Sequence, residues 1–327
     1  MSLLRVEDLN VHFHTPTGMA YAVDGISFQI NKGKTHALVG ESGCGKSVTS
    51  LAIMGLLSPA HTKISGKIFL NDKNLLSLQK YEVRSLRGSE VSMIFQEPMT
   101  ALNPVMKVGD QILEAIAVHP QRSLNMDSGI TTEHKKNRVL ELLRLTGLNE
   151  SVFHKYPHEL SGGMRQRIMI ASALSCKPSL LIADEPTTAL DVTTQKQILG
   201  LMRDLQLKTQ TSILMITHNL GVVAETCHTM SIMYAGKIVE SGSVKDVFEV
   251  PCHPYTKGLF DALPGIGNHR GKLKAIQGTV PPATEYRKLN DCRFYDRCEF
   301  KDERCDTQSN RPGHYSFCGR SSNNRNS

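Results

Sequence analysis

The chain has 327 residues, 40% of them hydrophobic and 21% charged, which is ordinary for a globular protein with a sizeable core. Its formal net charge of +7 is spread along the chain, so a mixed solvated surface is favoured over a nucleic-acid track. The sequence contains no run of about 18 apolar residues, so it predicts no transmembrane helix. The first residues lack the long apolar region of a signal peptide, and we therefore expect a cytosolic protein.

The first predicted elements are two half-buried antiparallel strands at residues 3–13 and 20–30, where apolar and polar positions alternate. A turn at residues 14–18 separates them. The apolar run at residues 35–39 predicts a buried strand, and residues 48–57 predict a helix.

Between that strand and that helix lies the phosphate-binding pattern G-x-x-x-x-G-K-[ST]. Its glycines let backbone N–H groups turn toward an anion, and the start of the helix adds partial positive charge. In such a loop the lysine contacts the β- and γ-phosphates of a nucleotide, and the hydroxyl binds Mg²⁺. The predicted nucleotide-binding residues are Gly40, Glu41, Ser42, Gly43, Cys44, Gly45, Lys46, Ser47 and Val48.

Strands and helices alternate over the rest of the chain, which predicts an α/β fold with a mainly parallel sheet. Further strands are predicted at residues 64–70, 91–95, 179–184, 212–217, 230–234 and 237–240. Helices are predicted at residues 77–87, 106–118, 133–145, 162–174 and 191–208, with a polar loop at 121–132. Residues 97–160 are helical in character and predict a helical subdomain inserted into the α/β core.

The buried strand at residues 179–184 ends in the acidic pair Asp184-Glu185, which is a Walker B pattern. Ligands of open α/β sheets gather at the carboxyl ends of the strands. Asp184 is therefore predicted to hold Mg²⁺. Glu185 is predicted to orient and partly deprotonate the attacking water.

The most specific signal is the run Leu-Ser-Gly-Gly-Met-Arg-Gln-Arg at residues 160–167. Ser161 is a natural N-cap, and Gly162 and Gly163 expose the backbone at a helix start, which makes an outward-facing anion site. The order of the motifs is also informative, because Asp184 follows Ser161 by 23 residues.

With these motifs in order, residues 3–260 resemble the ATP-binding subunits of ABC transporters, and residues 160–167 resemble their signature motif. The resemblance implies that two such subunits enclose two ATP molecules. Each phosphate-binding loop (P-loop) would face the signature serine and glycines of the other ABC ATPase subunit, so that Ser161, Gly162 and Gly163 of this chain would face the loop of its partner.

Other landmarks of the family follow from the same resemblance. Gln96 matches the Q-loop glutamine, which contacts Mg²⁺ and the attacking water. Residues 188–191 resemble the D-loop that ends in Asp191, with Thr188 where serine is usual. His218 matches the switch histidine that contacts the γ-phosphate. Phe13 is predicted to stack on adenine, with Tyr21 as the alternative.

A narrower resemblance, to the dipeptide, oligopeptide and nickel importer subfamily, is carried by residues 96–104 and 253–259 and by Pro281-Pro282. It implies ATP-driven uptake of small peptides with two transmembrane permease subunits, a heterodimeric ATPase partner and, indirectly, an extracytoplasmic solute-binding protein. The protein would act at the cytoplasmic face of the inner membrane. Nickel or another small solute remains an alternative.

The C-terminal region, residues 263–327, is predicted to be a small domain appended to an ATPase domain at residues 1–262. Half of the eight cysteines lie there, which favours a metal site over disulfides in a reducing compartment. In the resembling subfamily such a tail is associated with a [4Fe–4S] cluster; zinc and unligated cysteines are the alternatives. The predicted ligands are Cys292, Cys298, Cys305 and Cys318.

Two other classes of protein fit the sequence less well. ABC ATPases of translation or DNA repair usually carry two ATPase units or a long coiled-coil insertion, and this sequence has neither. Residues 287–327 hold nine Lys or Arg and six Asp or Glu, interleaved without a continuous basic stripe. We therefore expect no nucleic-acid partner.

Overall fold

The computed structural model describes residues 1–96, 101–124, 130–188, 190–262, 275–289, 292–301, 309–311 and 313–318. The described strands are β1 (Ser2–Thr15), β2 (Gly18–Asn31), β3 (Thr35–Val39), β4 (Thr62–Leu70), β5 (Lys73–Asn74), β6 (Val91–Ile94), β7 (Leu180–Asp184), β8 (Ser212–Thr217), β9 (Thr229–Tyr234), β10 (Lys237–Ser243), β11 (Ser309–Arg311) and β12 (His314–Ser316).

The described α-helices are α1 (Lys46–Ile53), α2 (Lys80–Leu86), α3 (Val108–Val118), α4 (Pro120–Leu124), α5 (Thr132–Leu145), α6 (Gly162–Ala173), α7 (Val192–Thr209), α8 (Leu220–Thr226), α9 (Val244–Glu249) and α10 (Pro254–Asp261). Short 3-10 helices lie at Leu75–Ser77, Glu150–His154, Pro157–Glu159, Tyr286–Lys288 and Tyr295–Arg297. Within the described part of the chain, we find no helix long and apolar enough to cross a membrane.

The chain divides into two compact units that interleave along the sequence. Unit 1 comprises Met1–Leu4, Ile30–Thr35 and Ser77–Met215. Unit 2 comprises Arg5–Gln29, His36–Leu76 and Ile216–Ser327.

Unit 2 contains two sets of paired strands. One is a sheet in the order β2-β1-β4-β5, and the other runs in the order β11-β12-β10-β9-β3. β3 is parallel to β9, with His36 opposite Thr229, whereas β9 and β10 form an antiparallel hairpin. β12 adds antiparallel to β10, with Glu240 opposite Ser316. The C-terminal segment, defined as the described residues that follow β10, therefore contributes β11 and β12 to the same sheet as β3.

Unit 1 contains the strand order β8-β7-β6 and most of the helices. β6 and β7 are parallel, with Val91 opposite Leu180. α5 begins at a capping box, because the Thr131 side chain accepts from the His134 N–H and the His134 side chain accepts from the Thr131 N–H. Burial of one apolar side of α3 and α5 packs these helices together; the buried residues include Ile112, Ile116, Val139, Leu142 and Leu143.

The core of unit 2 joins the phosphate-loop strand to the C-terminal segment. Val39 of β3 lies in the same buried apolar cluster as Tyr255, Tyr286, Phe294 and Cys298. The cluster includes several aromatic rings, and the Tyr255 and Phe294 rings lie 5.3 Å apart. Residues far apart in sequence thus share one packed interior, in which a local change is felt by its neighbours.

A strand lies at each predicted stretch, and β3 and β8 have the predicted bounds. β6 ends at Ile94 and β7 begins at Leu180, each one residue inside the predicted range. The helix predicted at 48–57 begins earlier, at Lys46, and ends at Ile53. The polar loop predicted at 121–132 is wrong in its first part, because α4 occupies Pro120–Leu124. Ser123 there donates to the Ser175 carbonyl at 2.7 Å, a buried contact that the sequence pattern does not reveal.

Candidate functional site

The phosphate loop lies between β3 and α1 in unit 2, the strand–loop–helix arrangement that the motif requires. Glycine is required at two of its positions. A Cβ on Gly40 would lie 2.2 Å from the Met233 carbonyl oxygen, and one on Gly45 would lie 2.4 Å from the Ala22 carbonyl oxygen. At these two positions the loop backbone packs directly against neighbouring backbone, which leaves no room for a side chain.

The charged end of Lys46 is folded into the loop. Its Nζ donates to the Gly40 and Glu41 carbonyls at 2.8 and 2.9 Å, and the side chain is buried. Gly45 caps α1 without a side-chain acceptor, and no acidic residue lies in the first turn. A buried ammonium beside a helix start is a donor set that fits a phosphate group.

The other residues of the phosphate loop differ in solvent exposure. Ser42, Gly43 and Ser47 are exposed, and Glu41 and Val48 are half-buried. The exposed Ser47 hydroxyl is thus accessible to a metal ion.

Cys44 is buried, and its Sγ lies 3.8 Å from the Lys46 Nζ. Burial raises the pKa of the Cys44 thiol despite the nearby Lys46 charge, so this cysteine stays a protonated packing residue.

Two other predicted nucleotide contacts also lie in unit 2. His218 follows β8 directly and is exposed. Phe13 is half-buried on β1. The alternative stacking residue, Tyr21, contacts the His12 ring at 4.7 Å and lies under the Arg287 guanidinium at 4.6 Å. Tyr21 is therefore packed against two side chains of unit 2.

In unit 1 the structure brings Gln96 and Glu185 together. The Gln96 Nε2 donates to Glu185 Oε2 at 3.1 Å, and the Thr188 hydroxyl donates to the same oxygen at 2.9 Å. Glu185 has a φ of 47°, a left-handed conformation that is uncommon for a side chain of this kind. Strained backbone of this type concentrates at functional sites. Asp184 is buried at the end of β7.

The signature residues begin α6. The Ser161 Oγ accepts from the Met164 N–H at 3.3 Å, as the sequence predicts for an N-cap. Ser161 and Gly162 are exposed. A Cβ on Gly163 would lie 2.6 Å from a Thr194 methyl, so glycine lets α6 approach α7 closely.

Asp191 caps α7, with its carboxylate accepting from the Thr194 N–H at 3.0 Å and from the Thr194 hydroxyl at 2.7 Å. These hydrogen bonds lower the pKa of Asp191. The structure therefore gives this D-loop residue a local structural role. Ala189, in the middle of the D-loop, lies outside the described residues.

Of the four predicted cluster ligands, Cys292, Cys298 and Cys318 are all buried, and Cys305 lies outside the described residues. Cys292 and Cys298 belong to the core of unit 2. Buried thiols of this kind can provide the soft donors that an iron–sulfur or zinc centre requires.

The structure also brings together three potential metal-ligating side chains that the sequence did not indicate. Glu240, Cys252 and His314 are buried, with one potential ligand atom of each within 4.8 Å of the others. The Glu240 carboxylate accepts from the His314 Nε2 at 2.7 Å and from the Cys252 and His253 N–H groups at 2.8 Å. These bonds satisfy the carboxylate and tie β12 and the start of α10 to β10.

Three side chains that the sequence motifs do not indicate also contact the phosphate loop. The Glu41 N–H donates to the Tyr255 hydroxyl at 3.0 Å, and the Tyr286 hydroxyl donates to the Gly43 carbonyl at 3.3 Å. The Arg297 Nη1 lies 3.2 Å from Glu41 Oε1. We call Tyr255, Tyr286 and Arg297 the C-terminal brace. Tyr255 falls in the 253–259 stretch and Arg297 precedes Cys298, but neither position signals such a contact.

Comparison with known proteins agrees with this geometry. Residues 23–188 match the family model for "ABC transporter", and residues 239–305 match "Oligopeptide/dipeptide transporter, C-terminal region". The "Oligopeptide transport ATP-binding protein AppD" of Bacillus subtilis is 50% identical over 93% of this chain and 90% of that protein. The "Dipeptide transport ATP-binding protein DppD" of Escherichia coli is 45% identical over 93% of this chain and 91% of that protein.

Solved structures give the same fold. cbiO1 from Clostridium perfringens, part of the ABC transporter complex cbiONQ, aligns with a TM-score of 0.63 and 28% identity over 76% of this chain and 91% of that chain. The dimeric ABC transporter cassette MJ0796 aligns with a TM-score of 0.64 over 74% of this chain and 98% of that chain, at 23% identity. The chain belongs to the ABC transporter ATP-binding family, with the C-terminal region that distinguishes its oligopeptide and dipeptide transporter branch.

Proposed function

We propose that this chain is the ATP-hydrolysing subunit of an ABC importer for di- and oligopeptides. The observation that carries the proposal is the C-terminal match over residues 239–305, beside relatives named for oligopeptide and dipeptide transport that span 93% of this chain. The same ATPase role for nickel or another small solute is the alternative. A non-transport ATPase is disfavoured by the transporter-specific C-terminal region.

Uptake in intact cells tests the solute. Cells lacking this chain should lose import of a radiolabelled tripeptide and regain it with the unaltered chain but not with Lys46→Ala. Radioactive nickel serves as the second solute. Loss of nickel uptake with normal tripeptide uptake would reject the peptide assignment and leave the ATPase role standing.

In the nucleotide chemistry that we propose, the phosphate loop holds the triphosphate. Lys46 contributes a fixed positive charge, and the Gly40–Ser47 backbone donates N–H groups to phosphate oxygens. Ser47, Asp184 and Gln96 are the proposed Mg²⁺ ligands, and a bound Mg²⁺ supplies neutralisation of phosphate charge. The buried ammonium and the closely packed glycines support this assignment.

Hydrolysis is assigned to the residues at the end of β7. Glu185 would accept a proton from the attacking water, and Gln96, which donates to its carboxylate, would orient both. His218 would contact the γ-phosphate. Phe13 would stack on adenine. Ser161, Gly162, Gly163 and Asp191 would face the nucleotide of the second ATPase subunit.

The partners follow from the transporter assignment. We propose a heterodimer with a second ABC ATPase subunit, docked on two transmembrane permease subunits at the cytoplasmic face of the membrane. An extracytoplasmic solute-binding protein would act through the permeases, and no nucleic acid is involved. Affinity purification from detergent-solubilised membranes should recover two hydrophobic permeases and a second ATPase; recovery of this chain alone as a homodimer would contradict the heterodimer.

For the C-terminal region we propose a small domain at residues 263–327 appended to the ATPase domain at 1–262, with a [4Fe–4S] cluster on Cys292, Cys298, Cys305 and Cys318. Burial of three of these thiols supports it. Anaerobically purified protein should contain about four iron and four sulfide per chain. Cys318→Ser should lose them, whereas Cys176→Ser should not. Stoichiometric zinc, or an iron-free protein with full activity, would reject the cluster.

A further inference from the structure

The C-terminal brace makes three kinds of contact with two residues of the phosphate loop, Glu41 and Gly43. Tyr255 follows Glu41 by 214 residues, Tyr286 follows Gly43 by 243 and Arg297 follows Glu41 by 256. These contacts therefore come from residues that follow β10 in sequence: Tyr255 lies near the end of the proposed ATPase domain, and Tyr286 and Arg297 lie in the proposed C-terminal domain. A loop that binds phosphate through its own backbone depends on whatever fixes that backbone.

The tyrosine contacts are made from inside the protein. Tyr255 and Tyr286 are fully buried, and their rings lie in the apolar core of unit 2. Burial raises the pKa of Tyr286 to about 12 and raises that of Tyr255 further, so both hydroxyls stay protonated at neutral pH. One hydroxyl accepts from the loop and the other donates to it, which fixes the peptide groups of Glu41 and Gly43.

Arg297 fixes the loop through charge. Its side chain is 9% exposed, and Nη1 lies 3.2 and 3.3 Å from the two carboxylate oxygens of Glu41 and 3.3 Å from the Tyr234 hydroxyl. The other donors of the guanidinium bond to the Gln277 and Gly278 carbonyls at 2.7 and 3.1 Å. Arg297 thus connects three separate segments of unit 2.

The same arginine is adjacent in sequence to a buried cysteine. Cys298 follows Arg297 directly, and its side chain packs in the core that also contains Tyr255 and Tyr286. Arg297, which contacts Glu41, is thus covalently joined to a residue of the packed core.

From these contacts we infer that Tyr255, Tyr286 and Arg297 are positioning residues for ATP, and that the C-terminal segment sets the nucleotide affinity of the phosphate loop. The inference rests on the proposed function, because it assigns a control to the same nucleotide site. It predicts that the segment changes ATP affinity without taking part in the hydrolytic step.

The test measures equilibrium binding of radiolabelled ATP and steady-state phosphate release with the purified full-length chain. Tyr255→Phe and Tyr286→Phe each delete one hydroxyl from the core without changing its packing. Each is expected to weaken ATP binding about threefold, and the double variant about tenfold, with kcat changed less than twofold. Tyr81→Phe, on a side chain that is 73% exposed, is the matched control.

A double-mutant cycle isolates the charge contact. Arg297→Met and Glu41→Gln are each expected to raise the Kd for ATP about tenfold. The combined variant should be no worse than the single ones, because both remove the same contact. Arg297→Lys should recover part of the affinity. Lys288→Met, on an exposed residue in the same segment, is the control.

The outcomes separate the two claims. The inference is overturned if the Kd for ATP is unchanged in both tyrosine variants and the effects of the Arg297 and Glu41 substitutions are additive. If the unaltered protein still binds and hydrolyses ATP in that case, the proposed function stands. Unaltered protein that does not bind ATP overturns the proposed function. If Arg297→Met fails to fold, the tyrosine variants alone decide, since they retain the rings.

Discussion

The phosphate loop and the end of β7 carry the two parts of the proposed ATPase chemistry, and they are held in different ways. The loop is contacted by buried side chains more than 200 residues away, including Tyr255. Glu185 is held by hydrogen bonds from Gln96 and from Thr188, only three residues away, and both are exposed. The phosphate loop is thus fixed by buried long-range contacts, whereas the described hydrogen bonds of the proposed hydrolytic carboxylate come from exposed side chains.

The largest expected effect separates ATP hydrolysis from ATP binding. Glu185→Gln keeps the side-chain shape but removes the proton acceptor, so kcat should fall at least about a hundredfold. ATP binding should remain, because the phosphate loop is unchanged. Phosphate release and equilibrium ATP binding on the same preparation measure both quantities. Near-normal turnover would remove Glu185 from the role of base.

A second substitution tests whether a buried arginine stabilises unit 2, the unit that holds the phosphate loop. Arg293 is 3% exposed and donates to Asp24 and to the Ala235 carbonyl. Arg293→Ala should lower the free energy of unfolding by about 3 kcal/mol, because it removes the donor to the buried Ala235 carbonyl and the nearest cation of the half-buried Asp24 carboxylate.

Arg287 provides the matched control, since it lies 3.9 Å from the same Asp24 but is 59% exposed. Its replacement by alanine should cost less than about 1 kcal/mol. Urea unfolding followed by circular dichroism gives both values. Equal losses for the two arginines would show that burial is not what makes Arg293 important.

Lys46→Ala tests the binding part directly. The buried ammonium lies beside the Gly40 and Glu41 carbonyls, and we expect its loss to raise the Kd for ATP by about ten- to a hundredfold. Lys196→Ala, on an exposed lysine of α7, should leave the Kd unchanged. An unchanged Kd in Lys46→Ala would contradict the assignment of the loop.

Acid should affect unit 2 through two buried histidines. Burial lowers the pKa of His36 and of His253 to about 4, from 6.5. Below pH 6.5 the unfolded chain takes up protons that the folded chain does not, so stability should fall as the pH drops from 6.5 toward 4. Urea unfolding at stepped pH should show that the free energy of unfolding falls less steeply with decreasing pH in His36→Gln. An equal slope would show that His36 does not cause the loss of stability.

The smallest expected effect concerns the exposed contacts of Glu185. Thr188→Val deletes the hydroxyl that donates to the carboxylate at 2.9 Å, and kcat should fall about two- to fivefold with an unchanged KM. Thr188→Ser, which restores the usual D-loop residue, should retain full activity. A raised KM in Thr188→Val would show that the two parts are not separable.

The sequence determined the local features. β3 and β8 have the predicted bounds because each is a continuous apolar run, buried along its length, that needs no other part of the chain to be recognised. The Gly40 and Gly45 positions follow from the loop motif, and Ser161 follows from its capping chemistry. Each of these rests on residues within a few positions of one another.

Only the tertiary structure decided the long-range contacts. α4 forms where the sequence favoured a loop, because Arg122 pairs with Glu90 at 2.6 Å and Ser123 is buried. The C-terminal brace and the tie between Glu240 and His314 likewise join segments that have no common pattern. Hydrogen bonds and burial depend on positions in space, and a spacing along the chain carries that information only within a helix, a strand or a turn.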